Sequence, residues 1–121
     1  KLISKMEEFS ITKKSSGDIE ILNLEGFLDA HTSVELEKEL ESLLASNKFK
    51  IIVNFKKLTY ISSAGLGVFM AYIENTRDNK GDIKLCEMSE KIFNIFDMLG
   101  FPILFEIYNE ENTAVEKFSN N

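Results

Sequence analysis

The first quarter of the chain has the pattern of two strands joined by a turn. Apolar and polar residues alternate in Phe9-Ser-Ile-Thr-Lys13, and less strictly in Ile19-Glu-Ile-Leu-Asn-Leu24. Such alternation is typical of a strand with one buried face. The intervening Ser15-Ser-Gly-Asp18 has the composition of a turn. The pattern predicts an antiparallel hairpin, with Gly26 ending its second strand.

The apolar positions then change to helical spacing and afterwards to a continuous run. Thr32 and Glu35 stand three residues apart, which is the spacing of a capping box at the start of a helix. The apolar face of this predicted helix is formed by Leu36, Leu40, Leu43 and Leu44. The run Phe49-Lys-Ile-Ile-Val-Asn-Phe55 is short, β-branched and nearly all apolar. It predicts a central strand that is buried on both faces.

Two further helices and a strand are predicted downstream. The second helix is expected to end at Asn79-Lys-Gly81, and a strand follows over residues 82–87. Ser89 begins the third helix, which Gly100 and Pro102 close. The apolar stripes are Leu66, Phe69, Met70 and Ile73 in the second helix, and Met88, Ile92, Ile95, Phe96 and Leu99 in the third.

The end of the chain completes an α/β order. Residues 103–107 are predicted to form a last short strand and residues 110–118 a last helix. The order β-β-α-β-α-β-α-β-α predicts a mixed, mostly parallel sheet covered by about four helices. We expect one domain over residues 1–121, with residues 1–6 a flexible or cloning-derived N-terminus.

Composition excludes several classes of function. The chain has 121 residues, of which 44% are hydrophobic and 28% charged, and a formal net charge of −6. Nucleic acids and anionic membranes require clustered Lys and Arg, which are scattered here, so neither partner is expected. No apolar run approaches the ~18–20 residues of a membrane span. The single cysteine, Cys86, cannot form an internal disulfide. We expect a cytoplasmic protein. We also expect it to be monomeric when free.

The most informative segment is Leu58-Thr-Tyr-Ile-Ser-Ser-Ala-Gly-Leu-Gly-Val-Phe-Met70. It reads as the end of a buried strand that breaks at two serines and two glycines and then enters a helix. A phosphate on a serine there would meet free backbone N–H groups and the positive end of the helix dipole. Gly65 has no side chain to crowd an approaching partner. The position favours a regulatory phosphoserine over a catalytic nucleophile.

A second loop, Asp29-Ala-His31, also follows a predicted strand and precedes a helix. Partners of parallel sheets meet the loops beyond the carboxyl ends of the strands. If the two strands are neighbours, this loop and the Ser62-Ser63 loop form one surface. Asp29 fits either a contact with a kinase or a simple turn residue.

Four stretches of the sequence match a known family. They are Gly26-Phe-Leu-Asp-Ala-His-Thr32, Ile52-Val-Asn-Phe55, Tyr60-Ile-Ser-Ser-Ala-Gly-Leu-Gly67, and Met88 through Phe101 with its Phe96-Asp-Met-Leu-Gly100 core. With the spacing between them, the chain resembles a STAS domain of the anti-sigma-factor-antagonist type over nearly its whole length.

The resemblance implies a phosphorylation-controlled binding switch. The unphosphorylated protein would bind an anti-sigma factor, which is often also a GHKL-type serine kinase, and so free a sigma factor. Phosphorylation of the serine at the start of the second helix, here Ser63, would end the complex, and a PP2C-type phosphatase would reverse the mark. Asp29 lies in the loop expected beside that serine.

Two positions depart from the family's switch motif, which has an acidic residue before the phosphoserine and a hydroxyl residue after it. Those positions hold Ser62 and Ala64 here. The change bears on kinase recognition and makes Ser62 a second choice of acceptor. Ser62 is better placed as the helix N-cap, accepting from an N–H one turn further on.

The partner-contact residues expected from these arguments are Asp29, Thr32, Ser62, Ala64, Gly65, Gly67, Val68 and Tyr72. Val68 and Tyr72 lie off the apolar stripe of the second helix, so burial under the neighbouring helix fits them equally well.

Other functions have weaker support in the sequence. An enzyme using Ser63 would lack a G-x-S-x-G elbow and have His31 as its one imidazole base, so no catalysis is expected. Gly65 and Gly67 do not make a dinucleotide loop, because Met70 occupies the third glycine position. We expect no cofactor and no metal. The closest alternative is a STAS module that never cycles through phosphorylation and acts as a scaffold in a signalling assembly.

Overall fold

The computed structural model describes residues 9–119, which contain five strands and five helices. The strands are β1 (Phe9–Ser16), β2 (Ile19–Leu28), β3 (Lys50–Ile61), β4 (Asp82–Cys86) and β5 (Ile107–Tyr108). The helices are α1 (Ser33–Ala45), α2 (Ser63–Asp78), α3 (Glu90–Met98), α4 (Phe101–Leu104) and α5 (Glu111–Ser119). The predicted α/β class is confirmed, and the expectation for residues 1–6 falls outside the described residues.

The strands form one mixed sheet in the order β1-β2-β3-β4-β5. Strand β1 pairs antiparallel with β2, with Ser16 opposite Ile19 across the predicted turn. The remaining neighbours are parallel. The central strand β3 is buried throughout residues 51–55, as its apolar run predicted. Each parallel connection passes through a helix, which is what a crossover requires.

Apolar side chains on the two faces of the sheet form two separate clusters. Leu22 and Val53 face the larger cluster, where α1, α2 and α3 contribute Leu36, Phe69 and Phe96. The residues just before them, Ile21 and Ile52, face the smaller cluster. There they pack with Ala114 and Phe118 of α5. Alternation along the strands therefore places α1, α2 and α3 on one face, together with Phe101 of α4, and α5 on the other.

Several predicted boundaries and burials are wrong. Strand β2 continues through Gly26 to Leu28. Gly26 takes a positive φ of 96°, and the register against β3 shifts beside it. The glycine therefore forms an irregularity within the strand and does not end it. Residues 103–107 do not form a strand: Phe101–Leu104 is a helical turn that begins after Gly100, and β5 is confined to Ile107–Tyr108. This extra turn makes five helices in the described part of the chain, where about four were expected.

Two residues that were assigned to apolar stripes lie at the surface. Met70 on α2 is 43% exposed and Leu99, just after α3, is 56% exposed. Helix α2 turns the neighbouring Val68 and Phe69 inward instead. Helix α2 ends at its C-cap Asn79, as predicted, but Lys80 and not Gly81 takes the left-handed conformation after it. Gly81 lies where a Cβ would stand 1.9 Å from the Phe49 carbonyl oxygen.

Candidate functional site

The two loops singled out in the sequence meet at one edge of the sheet. Strands β2 and β3 are parallel neighbours, and their last residues, Leu28 and Ile61, are paired. The Ser62 N–H donates a hydrogen bond of 2.9 Å to the Leu28 carbonyl oxygen and so ties the second loop to the first. The prediction that the Asp29 loop and the serine loop share a surface is confirmed.

Ser62 is built into the start of helix α2. Its backbone is extended (φ −102°, ψ 174°), and its hydroxyl oxygen accepts a hydrogen bond of 3.4 Å from the Gly65 N–H. Its carbonyl accepts the first helical hydrogen bond, 3.0 Å from the Leu66 N–H. Ser62 is thus the N-cap that the sequence predicted, and its side chain is partly buried.

Ser63 is the first residue of α2 and is exposed. Within residues 9–119 its hydroxyl makes no hydrogen bond, and neither its N–H nor that of Ala64 has a partner. The first turn of α2 carries no acidic residue, so the positive end of the helix dipole is not compensated there. An exposed hydroxyl thus lies beside two unpaired N–H donors, the arrangement that suits an added phosphate.

The Asp29 loop is held by hydrogen bonds to its own carboxylate. Asp29 Oδ1 accepts from the N–H groups of His31 and Thr32, both at 3.0 Å. These hydrogen bonds hold the pKa of Asp29 below its ordinary value, and the one from the Thr32 N–H has the largest effect. Asp29 is half-buried and precedes α1, so its negative charge also lies near the positive end of that helix.

Thr32 does not form the predicted capping box. Its hydroxyl accepts from the Asp29 N–H at 2.9 Å and lies 2.7 Å from the Phe27 carbonyl oxygen, to which it donates. The hydroxyl is occupied with the preceding loop, and no cap bond to α1 forms. Thr32 is 8% exposed, so it supports the loop from beneath and presents little surface to a partner.

The two glycines of the serine segment have different surroundings. Gly65 is buried, and a Cβ there would stand 2.8 Å from Leu28 Cγ and 3.0 Å from the Leu28 carbonyl oxygen. The missing side chain lets α2 pack onto the end of β2, and it does not make room for a partner as the sequence had suggested. Gly67 is exposed, and nothing lies within 4 Å of its Cβ direction.

The two open assignments on α2 resolve toward burial. Val68 is 4% exposed and belongs to the main core, so the alternative of burial applies. Tyr72 is half-buried beside α1, where burial and then the Glu41 carboxylate raise the pKa of its phenol. Of the predicted contact residues on α2, Ala64 and Gly67 are exposed, close in sequence to the exposed phosphoacceptor candidate Ser63.

Sequence reasoning missed Met70 as a surface residue. Ser63, Gly67, Met70 and Glu74 are all exposed and follow one another at intervals of four, three and four residues. This spacing places them on one face of the helix, which we call the α2 contact face. The signal was present in the sequence, because continuing from Ser63 and Gly67 at helical spacing arrives at Met70.

An aromatic pair was also missed. The rings of Phe27 and Tyr60 lie 5.4 Å apart on the neighbouring strands β2 and β3, and Tyr60 is 41% exposed. Tyr60 alternates with the buried Ile61 along β3, which is the signal that could have indicated its outward position.

The described residues offer no catalytic constellation around Ser63. No side chain of residues 9–119 is hydrogen-bonded to its hydroxyl, and no group of three His, Cys, Asp or Glu residues in that range could hold a metal. Cys86 is buried, and burial raises the pKa of its thiol to about 12, which leaves it protonated. None of the helices within residues 9–119 combines the length and apolarity needed to cross a membrane.

Comparison with known proteins identifies the family. The STAS domain model matches residues 10–114, and the chain belongs to the STAS domain family. An anti-sigma-B factor antagonist from Staphylococcus epidermidis is 31% identical over 91 residues, which cover 75% of this chain and 82% of that protein.

Two solved structures share the fold. TM1081 from Thermotoga maritima superposes with a TM-score of 0.84 at 20% identity, covering 88% of this chain and 92% of that one. The Bacillus cell fate determinant SpoIIAA in its phosphorylated form gives a TM-score of 0.72 at 18% identity, covering 90% of this chain and 99% of that one.

Proposed function

We propose that this protein is an anti-sigma factor antagonist whose binding is controlled by phosphorylation of Ser63. In its unphosphorylated form it binds an anti-sigma factor and thereby frees a sigma factor. The proposal is supported by the STAS family assignment and by the name of the Staphylococcus relative. The observation that carries it is the exposed Ser63 hydroxyl beside two unpaired N–H groups at the start of α2.

The choice of Ser63 over Ser62 rests on the hydrogen bonds of the two hydroxyls. The Ser62 oxygen already accepts from the Gly65 N–H, and its side chain is partly buried. A phosphate on Ser62 would replace that cap. A phosphate on Ser63 displaces no hydrogen bond formed within the described residues. The fold therefore tolerates phosphorylation of Ser63 better than phosphorylation of Ser62.

The effect on binding follows from charge and position. A phosphoserine adds about −1.5 to −2 charges at neutral pH. The helix dipole and the N–H groups of Ser63 and Ala64 stabilise that charge in the free protein. A partner docked on the α2 contact face, where Gly67 lies about one turn and the half-exposed Met70 about two turns from Ser63, must desolvate the phosphate. Phosphorylation therefore ends the complex with little change in the fold.

The partners follow from the same proposal. The anti-sigma factor is a GHKL-type serine kinase that phosphorylates Ser63, and a PP2C-type phosphatase removes the phosphate. The protein itself is cytoplasmic, acts by binding and catalyses no reaction. The half-buried Asp29 lies on the loop tied to the serine loop, so it contributes a negative edge to the docking surface.

A parallel capture experiment tests the proposal. Wild type, Ser63→Glu and Asn94→Glu serve as baits in lysate of the native host, and retained proteins are identified by mass spectrometry. Asn94 is exposed on α3, so the last variant adds the same charge on a different helix. We expect a GHKL-type ATPase on wild type and Asn94→Glu, and its loss on Ser63→Glu. Equal retention on all three would contradict the switch and support the scaffold alternative.

A further inference from the structure

A group of large apolar side chains is exposed away from Ser63. Met98 and Ile103 are 80% and 89% exposed, and Leu99 and Leu104 are also exposed. Arg77, in the last turn of α2, donates a hydrogen bond of 2.7 Å to the Leu104 carbonyl oxygen. Helix α4 therefore lies at the opposite end of α2 from Ser63. Clustered exposed apolar residues mark interaction sites more often than isolated ones do.

Part of this group lines a groove along β5. A cavity of about 540 Å³ is bounded by Phe93 of α3, by Pro102 and Ile103 of α4, and by residues 104–108. A second cavity of about 490 Å³ shares Phe93, Ile107 and Tyr108 with the first and continues to Met88 and Asn109. We call the two together the β5 groove. It follows the strand along its whole length and beyond both ends.

Strand β5 has an unpaired backbone edge along this groove. It lies at the edge of the sheet, where its one neighbour is β4. The carbonyl oxygens of Glu106 and Tyr108 accept hydrogen bonds of 3.0 Å from the N–H groups of Leu85 and Glu87. Backbone groups alternate in direction along a strand, so the N–H and C=O of Ile107 point away from β4. Within residues 9–119 no backbone partner meets them.

The charges that line the groove are mostly neutralised by neighbours. Arg77 pairs with Asp82 at 2.9 Å, and Glu106 pairs with the buried Lys84 at 2.7 Å. Glu90, the first residue of α3, also lines the groove and forms no ion pair within residues 9–119. The uncompensated charge of the groove is negative, and it lies at the end nearest Met88 and Asn109.

We propose that the β5 groove binds an extended apolar peptide segment of another protein, which adds as a strand to β5. The outward N–H and C=O of Ile107 pair with the peptide backbone, because an edge strand offers an extended chain both a donor and an acceptor. Alternate apolar side chains of the peptide contact Phe93 and Ile103. A lysine or arginine of the peptide lies toward Glu90. This site is independent of Ser63 and of the proposed switch.

Peptide selection with matched variants tests the site. The probe is a displayed hexapeptide library with β-branched or aromatic residues at alternate positions and Lys or Arg at either end. Selected peptides are synthesised, and their affinities are measured by fluorescence anisotropy. Ile103 lines the groove and Met98 does not, although both are highly exposed. We expect Ile103→Lys to weaken binding at least tenfold and Met98→Lys to change it less than twofold.

The strand geometry has its own readout. N-methylation of each peptide amide in turn removes one donor, and strand addition predicts that affinity falls at alternate positions. Ile107→Pro removes the outward N–H without breaking a bond to β4, and it should weaken binding at least fivefold.

Four results would overturn the proposal. The selection could yield no binder, or peptides that are insensitive to Ile103→Lys. N-methylation losses without a period of two would indicate a helical occupant. Self-association in sedimentation that Ile103→Lys abolishes would assign the groove to a second copy of the chain.

Discussion

Adjacent residues at the start of α2 serve opposite purposes. Ser62 uses its hydroxyl to cap the helix, whereas the hydroxyl of Ser63 is exposed and makes no hydrogen bond within the described residues. Gly65 is required by the close packing on Leu28, whereas Gly67 opens onto the α2 contact face. A site that combines capping, packing and exposure within six residues has little freedom in sequence, and each role can be tested by a substitution.

The two glycines should respond to alanine in opposite directions. Gly65→Ala places a Cβ 2.8 Å from Leu28 Cγ and 3.0 Å from a backbone oxygen, so we expect a loss of about 1–3 kcal/mol in unfolding free energy. Gly67→Ala meets no atom within 4 Å and improves helix propensity, so we expect a gain of about 0.5–1 kcal/mol. Urea unfolding followed by circular dichroism measures both, and equal effects would contradict the packing described for Gly65.

The loop before α1 shows how one element positions another. Asp29 organises the turn through the N–H groups of His31 and Thr32, and the Thr32 hydroxyl fastens the same turn to Phe27. The Leu28 carbonyl then receives the Ser62 N–H. The ordered end of β2 therefore supports the start of α2, and the two loops act as one surface.

The stabilisation from Asp29 should depend on pH. Its folded-state pKa is lowered, chiefly by the Thr32 N–H, so the contribution is full above the unfolded-state pKa of about 3.9 and is lost as pH falls through the folded value. We expect wild type to exceed Asp29→Asn in unfolding free energy by a constant amount between about pH 5 and 8. The difference should shrink below about pH 4. A difference that grows in acid would contradict the hydrogen bonding described for the carboxylate.

Elements with strong periodicity were predictable from the sequence, and those governed by tertiary contacts were not. The buried run at 51–55 and the Ser62 cap follow from local pattern. Residues 101–104 are helical although their apolar run resembles a strand, because the chain must turn after Gly100 before it can pair with β4. The Thr32–Glu35 spacing was misleading, because the hydroxyl was engaged by Phe27 five residues upstream.

The sequence predicted the position of the candidate site correctly, but the predictions for several of its side chains were wrong. Ser62 and Ser63 could be assigned because a strand-to-helix junction has few geometries. The rotation of α2 about its own axis, set by its packing against the sheet and α1, decides that Val68 is buried and Met70 exposed. Both side chains are apolar, so the sequence alone does not show which of them faces the core. The reason for Gly65 lies in Leu28, which is 37 residues away in the sequence and invisible to local reasoning.

The molecule as a whole presents two separate surfaces. The α2 contact face begins at the carboxyl edge of the parallel strands, where the two loops meet, and continues along α2 to Glu74. The exposed apolar group at α4 lies at the opposite end of α2, and the β5 groove extends from it along the edge strand. The formal charge is −6, so a phosphate adds to a chain that is already negative. Because salt screens exposed charges from one another over about 10 Å, the phosphate acts on binding through groups close to Ser63.

Control by phosphorylation is measured as the affinity of the captured GHKL-type partner for two purified forms of the chain. One form is unmodified, and the other carries phosphoserine incorporated at position 63. We expect phosphorylation to weaken binding at least about 100-fold, because an interface that must desolvate a phosphate without a partner group across it loses several kcal/mol. Affinities within threefold of each other would contradict control by phosphorylation and leave Ser63 as an ordinary residue of the helix start.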